Sequence, residues 1–204
     1  MKKILYVLSI LTAFLFSGMT LAKNQQDISE AKLKGKRIVM IIAKQMFQER
    51  EFNLPKEIFL RSNATVIVAS STLSEAAGDG GQKVKPDMHI NDIRADEFDA
   101  IVFVGGFGVT EYFDSPEAHR VAGEALKADK ILAAICMAPR ILANADVLKG
   151  KKATCFPSVR ENLKAKGAIV TLKMVERDGN IITGNGPSAA EKFGEAIVSA
   201  LIEQ

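Results

Sequence analysis

The chain has 204 residues, 48% hydrophobic and 25% charged, with 15 Gly, 6 Pro, 2 Cys and no Trp, the composition of one ordinary globular domain. Glycine and proline follow no period and two cysteines cannot frame a small scaffold, so fibrous, low-complexity and disulfide-stapled folds are excluded. Lys and Arg number 27 against 24 Asp and Glu; setting aside Lys2 and Lys3, which belong to a leader, leaves 25 against 24, a net charge of +1. A near-neutral chain without a Lys/Arg run offers no electrostatic footprint for nucleic acid or for an anionic membrane.

Residues 1–22 (MKKILYVLSILTAFLFSGMTLA) have a basic start, an apolar run over 4–16 and a small or polar end, the pattern of a secretory signal peptide. The rival reading is an uncleaved membrane anchor. Thr20 and Ala22 favour cleavage after Ala22, because they supply the small side chains that a signal peptidase needs. No Cys follows the apolar run, which argues against a lipoprotein anchor. Residues 23–35 then form a polar lead-in to a single domain over 36–204. The expected location is a bacterial periplasm or the cell exterior, with no stable membrane association once the leader is removed. Such a compartment is oxidising, so a thiol left free there needs an explanation.

Residues 37–43 (RIVMIIA) form a short apolar run rich in β-branched side chains, the mark of a strand buried on both faces. A helix is expected over 54–60, with Pro55 tolerable in its first turn. Residues 64–69 (ATVIVA) are the next buried strand, and the Gly-rich stretch 70–86 reads as loop. Residues 100–104 (AIVFV) make a third strand that runs into Gly105-Gly106-Phe107-Gly108. Ser115 caps a helix with Pro116 at its first position, running to about Ala128. Strand 130–135 and helix 137–144 follow. Shorter strands are expected at 152–155, 168–171, 174–177 and 181–183, with a helix over 159–166, a turn at Asp178-Gly179 and a closing helix over 188–202. Alternating strands and helices of this kind specify an α/β domain with a mainly parallel sheet.

In open sheets of this class, reactive groups sit beyond the carboxyl ends of strands. Cys136 follows the strand 130–135, with Ala134 and Ala138 two residues to either side, as a sharp strand-to-helix nucleophile turn demands. The adjoining helix N-terminus is expected to favour the thiolate. The alternative is a buried, inert cysteine. Gly105-Gly106 can present backbone N–H groups to a developing oxyanion, or serve only as a tight turn. GGFGVT lacks the spacing of a dinucleotide-binding turn. Phe47-Gln48-Glu49-Arg50-Glu51 is a charged cluster after the first strand, and such clusters are commonly solvated surface.

Together these segments resemble the ThiJ/PfpI family over about residues 36–204. FQEREFNLP is similar to its acidic F-E-[ED]-x-E segment, VFVGGFG to its glycine turn, AAICMAPRILANADVLKGKKAT to its cysteine elbow, and DGNIITGNGPSAAEKFGEAIVSAL to its closing strand and helix. The resemblance implies a flavodoxin-like three-layer sandwich and a homodimer. It implies that Cys136 is the nucleophile, that Glu51 hydrogen-bonds its sulfur, and that the N–H groups of Gly106 and Met137 form the oxyanion hole. Gln48 stands at a second position that is often Glu in the family. No cofactor is implied, and two His and two Cys show no metal-ligand spacing.

The departures bear on mechanism. The residue after the nucleophile is Met137 where the peptidases carry His, Phe156 stands where the deglycase-like branch has His, and Asn185 replaces an Arg found in some members. His89 and His119 read as structural or surface residues, so acid–base work falls to Glu51. Cys155 either points into the core or lies near enough to Cys136 for a reversible disulfide. The first functional expectation is a glutathione-independent enzyme of deglycase or glyoxalase type, acting on small carbonyls or glycated proteins. The alternatives are a stress-protective redox or chaperone-like protein with little turnover and, third, a cysteine peptidase.

Overall fold

The computed structural model of the protein describes residues 33–204, so the leader read in 1–22 and most of the lead-in lie outside the described residues. The main sheet has seven strands: β1 (Arg37–Ile41), β3 (Thr65–Ser70), β6 (Met88–His89), β7 (Ala100–Phe103), β8 (Ile131–Ile135), β11 (Val175–Asp178) and β12 (Ile181–Gly184). Their spatial order is β11-β12-β8-β7-β1-β3-β6, and every neighbouring pair is parallel except β11 with β12. Every residue of β7 and β8 is buried, as their unbroken apolar sequence requires.

Helices flank this sheet. The helix α1 (Glu49–Arg61) packs on the closing helix α5 (Ala190–Ile202), while α2 (Pro116–Lys127) packs on β7 and β8 and against the short α3 (Pro139–Asn144). Gly194 of α5 permits the close approach to α1, since a Cβ there would lie 3.0 Å from the Pro55 backbone and from the Ile58 side chain. Ser115 caps α2 as its sequence predicts, its hydroxyl accepting from the Ala118 N–H at 3.2 Å. A further short helix, α4 (Arg160–Ala165), follows the elbow region. The architecture is the flavodoxin-like α/β sandwich expected from the sequence.

Three local expectations are corrected. The first helix starts at Glu49 rather than at 54, so Pro55 lies inside it. Proline at that place supplies no N–H to the Glu51 carbonyl, a cost that packing on α5 offsets. Within the stretch 70–86, β4 (Ala76–Gly78) and β5 (Lys83–Val84) join β2 (Gln45–Phe47) in a three-stranded side sheet. Finally, the strands expected at 152–155 and 168–171 form only as two-residue strands, β9 (Lys152–Ala153) and β10 (Ile169–Val170), which pair with each other.

From β1 the chain winds to β3 and β6, then returns to the other side of β1 to build β7, β8 and β12. The order of strands therefore reverses between β1 and β7, where open α/β sheets form crevices. The segments leaving β1, β7 and β8 carry Glu51, Gly105-Gly106 and Cys136.

Candidate active site

Cys136 leaves β8 with φ of 64°, a left-handed conformation that a residue with a Cβ adopts only under constraint. The constraint comes from both sides. Its N–H donates to the Gly184 carbonyl at 2.9 Å, and its own carbonyl accepts from the Phe156 N–H at 2.7 Å. Ala134 and Ala138 are fully buried around it, which explains why only small residues fit beside the turn.

The first turn of α1 is stitched to the glycine turn. The Gln48 N–H donates to the Gly105 carbonyl at 3.0 Å, Phe47 bridges Gly106, and Gln48 Oε1 caps the helix by accepting from the Glu51 N–H at 2.9 Å. Glu51 is thereby directed inward and is completely buried. A Cβ on Gly105 would overlap Glu51 Oε2 and lie 2.5 Å from Cys136 Cβ, so position 105 brings both side chains together only as glycine. Gly106 has φ of 104° and backbone of residues 46–48 within the space of a side chain, which makes glycine necessary there too.

Burial sets the electrostatics. It pushes the Glu51 carboxyl from 4.5 to about 8, a rise that the neighbouring Asp79 charge adds to and that the Cys136 thiol and Gly105 N–H only partly reverse. Neither Glu51 oxygen has a well-aligned hydrogen-bond partner within the described residues, so these two contacts are loose ones. The Cys136 thiol is pushed up to about 12, first by burial and then by the Glu51 charge, against the N–H groups of Gly106 and Met137, which are aimed at the sulfur. The expectation of a thiolate favoured by a helix N-terminus is therefore corrected. Residues 136–138 form a turn ahead of α3, and desolvation outweighs the two N–H groups.

The structure thus gathers Cys136, Glu51, Gly106 and Met137 in one place, and no histidine with them. His89 Nε2 donates to the Ser71 carbonyl at 3.0 Å, and His119 Nε2 to the Phe113 carbonyl at 2.9 Å. Cys155 is buried and, like Cys136, free. No group of His, Cys, Asp and Glu suited to a metal ion occurs among the described residues. Surface clefts of about 420 and 360 Å³ lie along Arg94 and Arg120 and along Asp129 and Asp178, and none of the gathered residues lines them.

The profile of the DJ-1/PfpI family matches residues 36–200. The chain belongs to the DJ-1/PfpI family. An uncharacterized protein of Methanocaldococcus jannaschii is 34% identical over 204 residues, covering 98% of each chain. Among solved structures, the ThiJ/PfpI domain protein from Brachyspira murdochii superposes with a TM-score of 0.82 at 31% identity, over 84% of this chain and 99% of that one. Drosophila melanogaster DJ-1beta gives 0.76 at 28% identity, over 83% and 91%.

The roles of two residues beside this site were not visible in the sequence. Gln48, singled out only for its place in the family resemblance, is the helix cap that orients Glu51, although glutamine is not among the usual capping residues. Glu49 does not belong to the solvated cluster that its neighbours suggest. Its Oε1 accepts from the N–H groups of Gly80 and Gln82 at 2.9 and 2.7 Å, which anchors the β4–β5 turn to the start of α1.

Proposed function

We propose that the protein is an enzyme whose Cys136 adds to small reactive carbonyls, or to their adducts on proteins, without glutathione. The observation that carries this reading is the buried pair of Cys136 and Glu51, brought together across Gly105, with the backbone N–H groups of Gly106 and Met137 acting on the thiol. Below a pH of about 8 both groups are protonated; above it the pair retains one proton between them. That singly protonated pair is the reactive form. As sulfur attacks the carbonyl carbon, the S–C bond forms, the carbonyl π pair moves to oxygen, and Glu51 takes the thiol proton and returns it to that oxygen. The product is a hemithioacetal, with the Gly106 and Met137 N–H groups stabilising the intermediate oxyanion.

For a 2-oxoaldehyde such as methylglyoxal, Glu51 then removes the proton of the hemithioacetal carbon and delivers it to the adjacent carbonyl oxygen, giving an enediol. The hemithioacetal hydroxyl next gives up its proton, which Glu51 returns to the second carbon as the C=O of the thioester forms. The resulting thioester is hydrolysed by water, which releases lactate and restores the thiol. Glu51 alone moves each proton, in keeping with the engagement of both imidazoles elsewhere. The same proposal includes export by the leader over residues 1–22, cleavage after Ala22, a periplasmic or external location and a homodimer.

The test is the pH dependence of Cys136 alkylation, run beside methylglyoxal consumption on one preparation. Both rates are expected to rise through a single step near pH 8, and Cys136→Ala to abolish consumption. Turnover that survives this substitution overturns the carbonyl enzyme. Peroxide consumption by one thiol without metabolite turnover favours the stress-protective alternative.

A further inference from the structure

Three exposed apolar side chains stand on backbone attached directly to the site. Phe156 is 39% exposed, and its N–H holds the Cys136 carbonyl at 2.7 Å; a Cβ on Gly186 would touch its ring at 3.5 Å. Phe107 is 71% exposed and follows Gly106, whose N–H is aimed at the sulfur. Met46 is 46% exposed, has φ of 55°, and its carbonyl lies 2.5 Å from where a Cβ of Gly106 would stand. Large apolar side chains left in water beside a reactive group are a cost unless a ligand covers them.

Arg50 Nε donates to the Pro187 carbonyl at 3.1 Å, next to the Gly186 turn on which the Phe156 ring rests, and no acidic partner pairs with its guanidinium among the described residues. Asn185 directs its backbone N–H to the Met174 carbonyl at 2.9 Å. A polyhydroxylated substrate would find the Arg50 guanidinium and the exposed Ser158 and Ser188 on the flanking backbone, against the larger exposed surface of the phenyl rings.

We infer that Phe156, with Phe107 beside the glycine turn, is a specificity-determining residue that selects carbonyl substrates with an apolar body, aryl or branched alkyl, over short or sugar-derived ones. This rests on the reading of Cys136 as a carbonyl nucleophile. Only the carbonyl carbon has to reach the sulfur; the rest of the molecule lies over the Phe156 ring, where covering apolar surface adds to transition-state binding.

The experiment uses two pairs of probes. Phenylglyoxal and methylglyoxal report turnover; N-phenylmaleimide and N-ethylmaleimide report alkylation of Cys136 alone, each rate divided by that of free cysteine. The larger member of each pair is expected to be favoured by about tenfold or more in the unmodified protein. Phe156→Asn should remove most of that preference and Phe156→Leu should keep it, with iodoacetamide, which carries no apolar body, reporting any change in the thiol itself. Because the ring is part-exposed, neither change threatens the fold. A preference equal in the unmodified protein and Phe156→Asn overturns the inference. So does a preference for glyoxylate over both oxoaldehydes that is lost in Arg50→Gln, because the guanidinium would then be the selecting group. A maleimide preference that depends on Phe156, in a protein that turns over no oxoaldehyde, upholds the apolar wall and rejects the carbonyl reaction.

Discussion

Cys136 and Cys155 are both buried, both free, and separated by a single backbone hydrogen bond between their segments, from the Phe156 N–H to the Cys136 carbonyl. Burial raises both thiols, to about 12 and about 11. Depth and acidity therefore do not distinguish them. Convergence does: Cys136 sits in a constrained left-handed turn facing a second titratable group and two N–H groups, whereas the one charge acting on Cys155 is Arg160. A buried thiol becomes chemically useful when a neighbouring acid can take and return its proton, and only one of the two has that neighbour.

The largest effect that would break this comparison is the exchange of roles. Cys136→Ala should reduce carbonyl turnover to background, while Cys155→Ala retains nearly all of it; the reverse result in a consumption assay would make the convergence irrelevant. Next, Glu51→Gln should lower turnover by about 10²–10⁴-fold and erase the step near pH 8 in the alkylation profile. Persistence of the step would place the titration on another group.

Glu51 also links the site to stability. The unfolded chain gives up this proton near pH 4.5 and the folded chain keeps it to about 8, so the folded state binds more protons in that window. Stability should then fall as pH rises from about 4.5 to about 8 and level off above, by a few kcal/mol at most, and denaturant midpoints of Glu51→Gln should lack this decline. Gly105→Ala forces a methyl group against Glu51 and Cys136 and should cost ~1–3 kcal/mol, with a loss of alkylation rate larger than any loss of secondary structure. The smallest change is the stability cost of Cys155→Ala, about 1–2 kcal/mol for a small cavity, with the Cys136 profile unmoved.

Much of this is legible in the amino-acid sequence. Strands 100–104 and 130–135 announce themselves because residues buried on both faces must be apolar throughout, and Ser115-Pro116 announces a helix start because cap and first turn are local chemistry. The start of α1 was not legible. Pro55 suggests a first turn, and only packing of α1 on α5 lets a proline lie six residues inside the helix. The strands β4 and β5 are two or three residues long, too short for any alternation to show in a Gly-rich stretch, and exist through their pairing with β2; β9 and β10 lie within segments that read as strands, but their pairing with each other was not visible.

The amino-acid sequence by itself determined the α/β class, the placing of Cys136 between small residues at a strand end, and the set of residues available for chemistry, with no histidine beside the nucleophile. Tertiary structure alone decided how those residues behave. Whether a carboxyl group is charged at neutral pH depends on the water around it, and Glu51 loses that water only when α1, the glycine turn and the elbow close on one another. The thiol follows the same rule: its place in the chain promises stabilisation by backbone N–H groups, and the depth of the fold around it sets how much of that stabilisation survives.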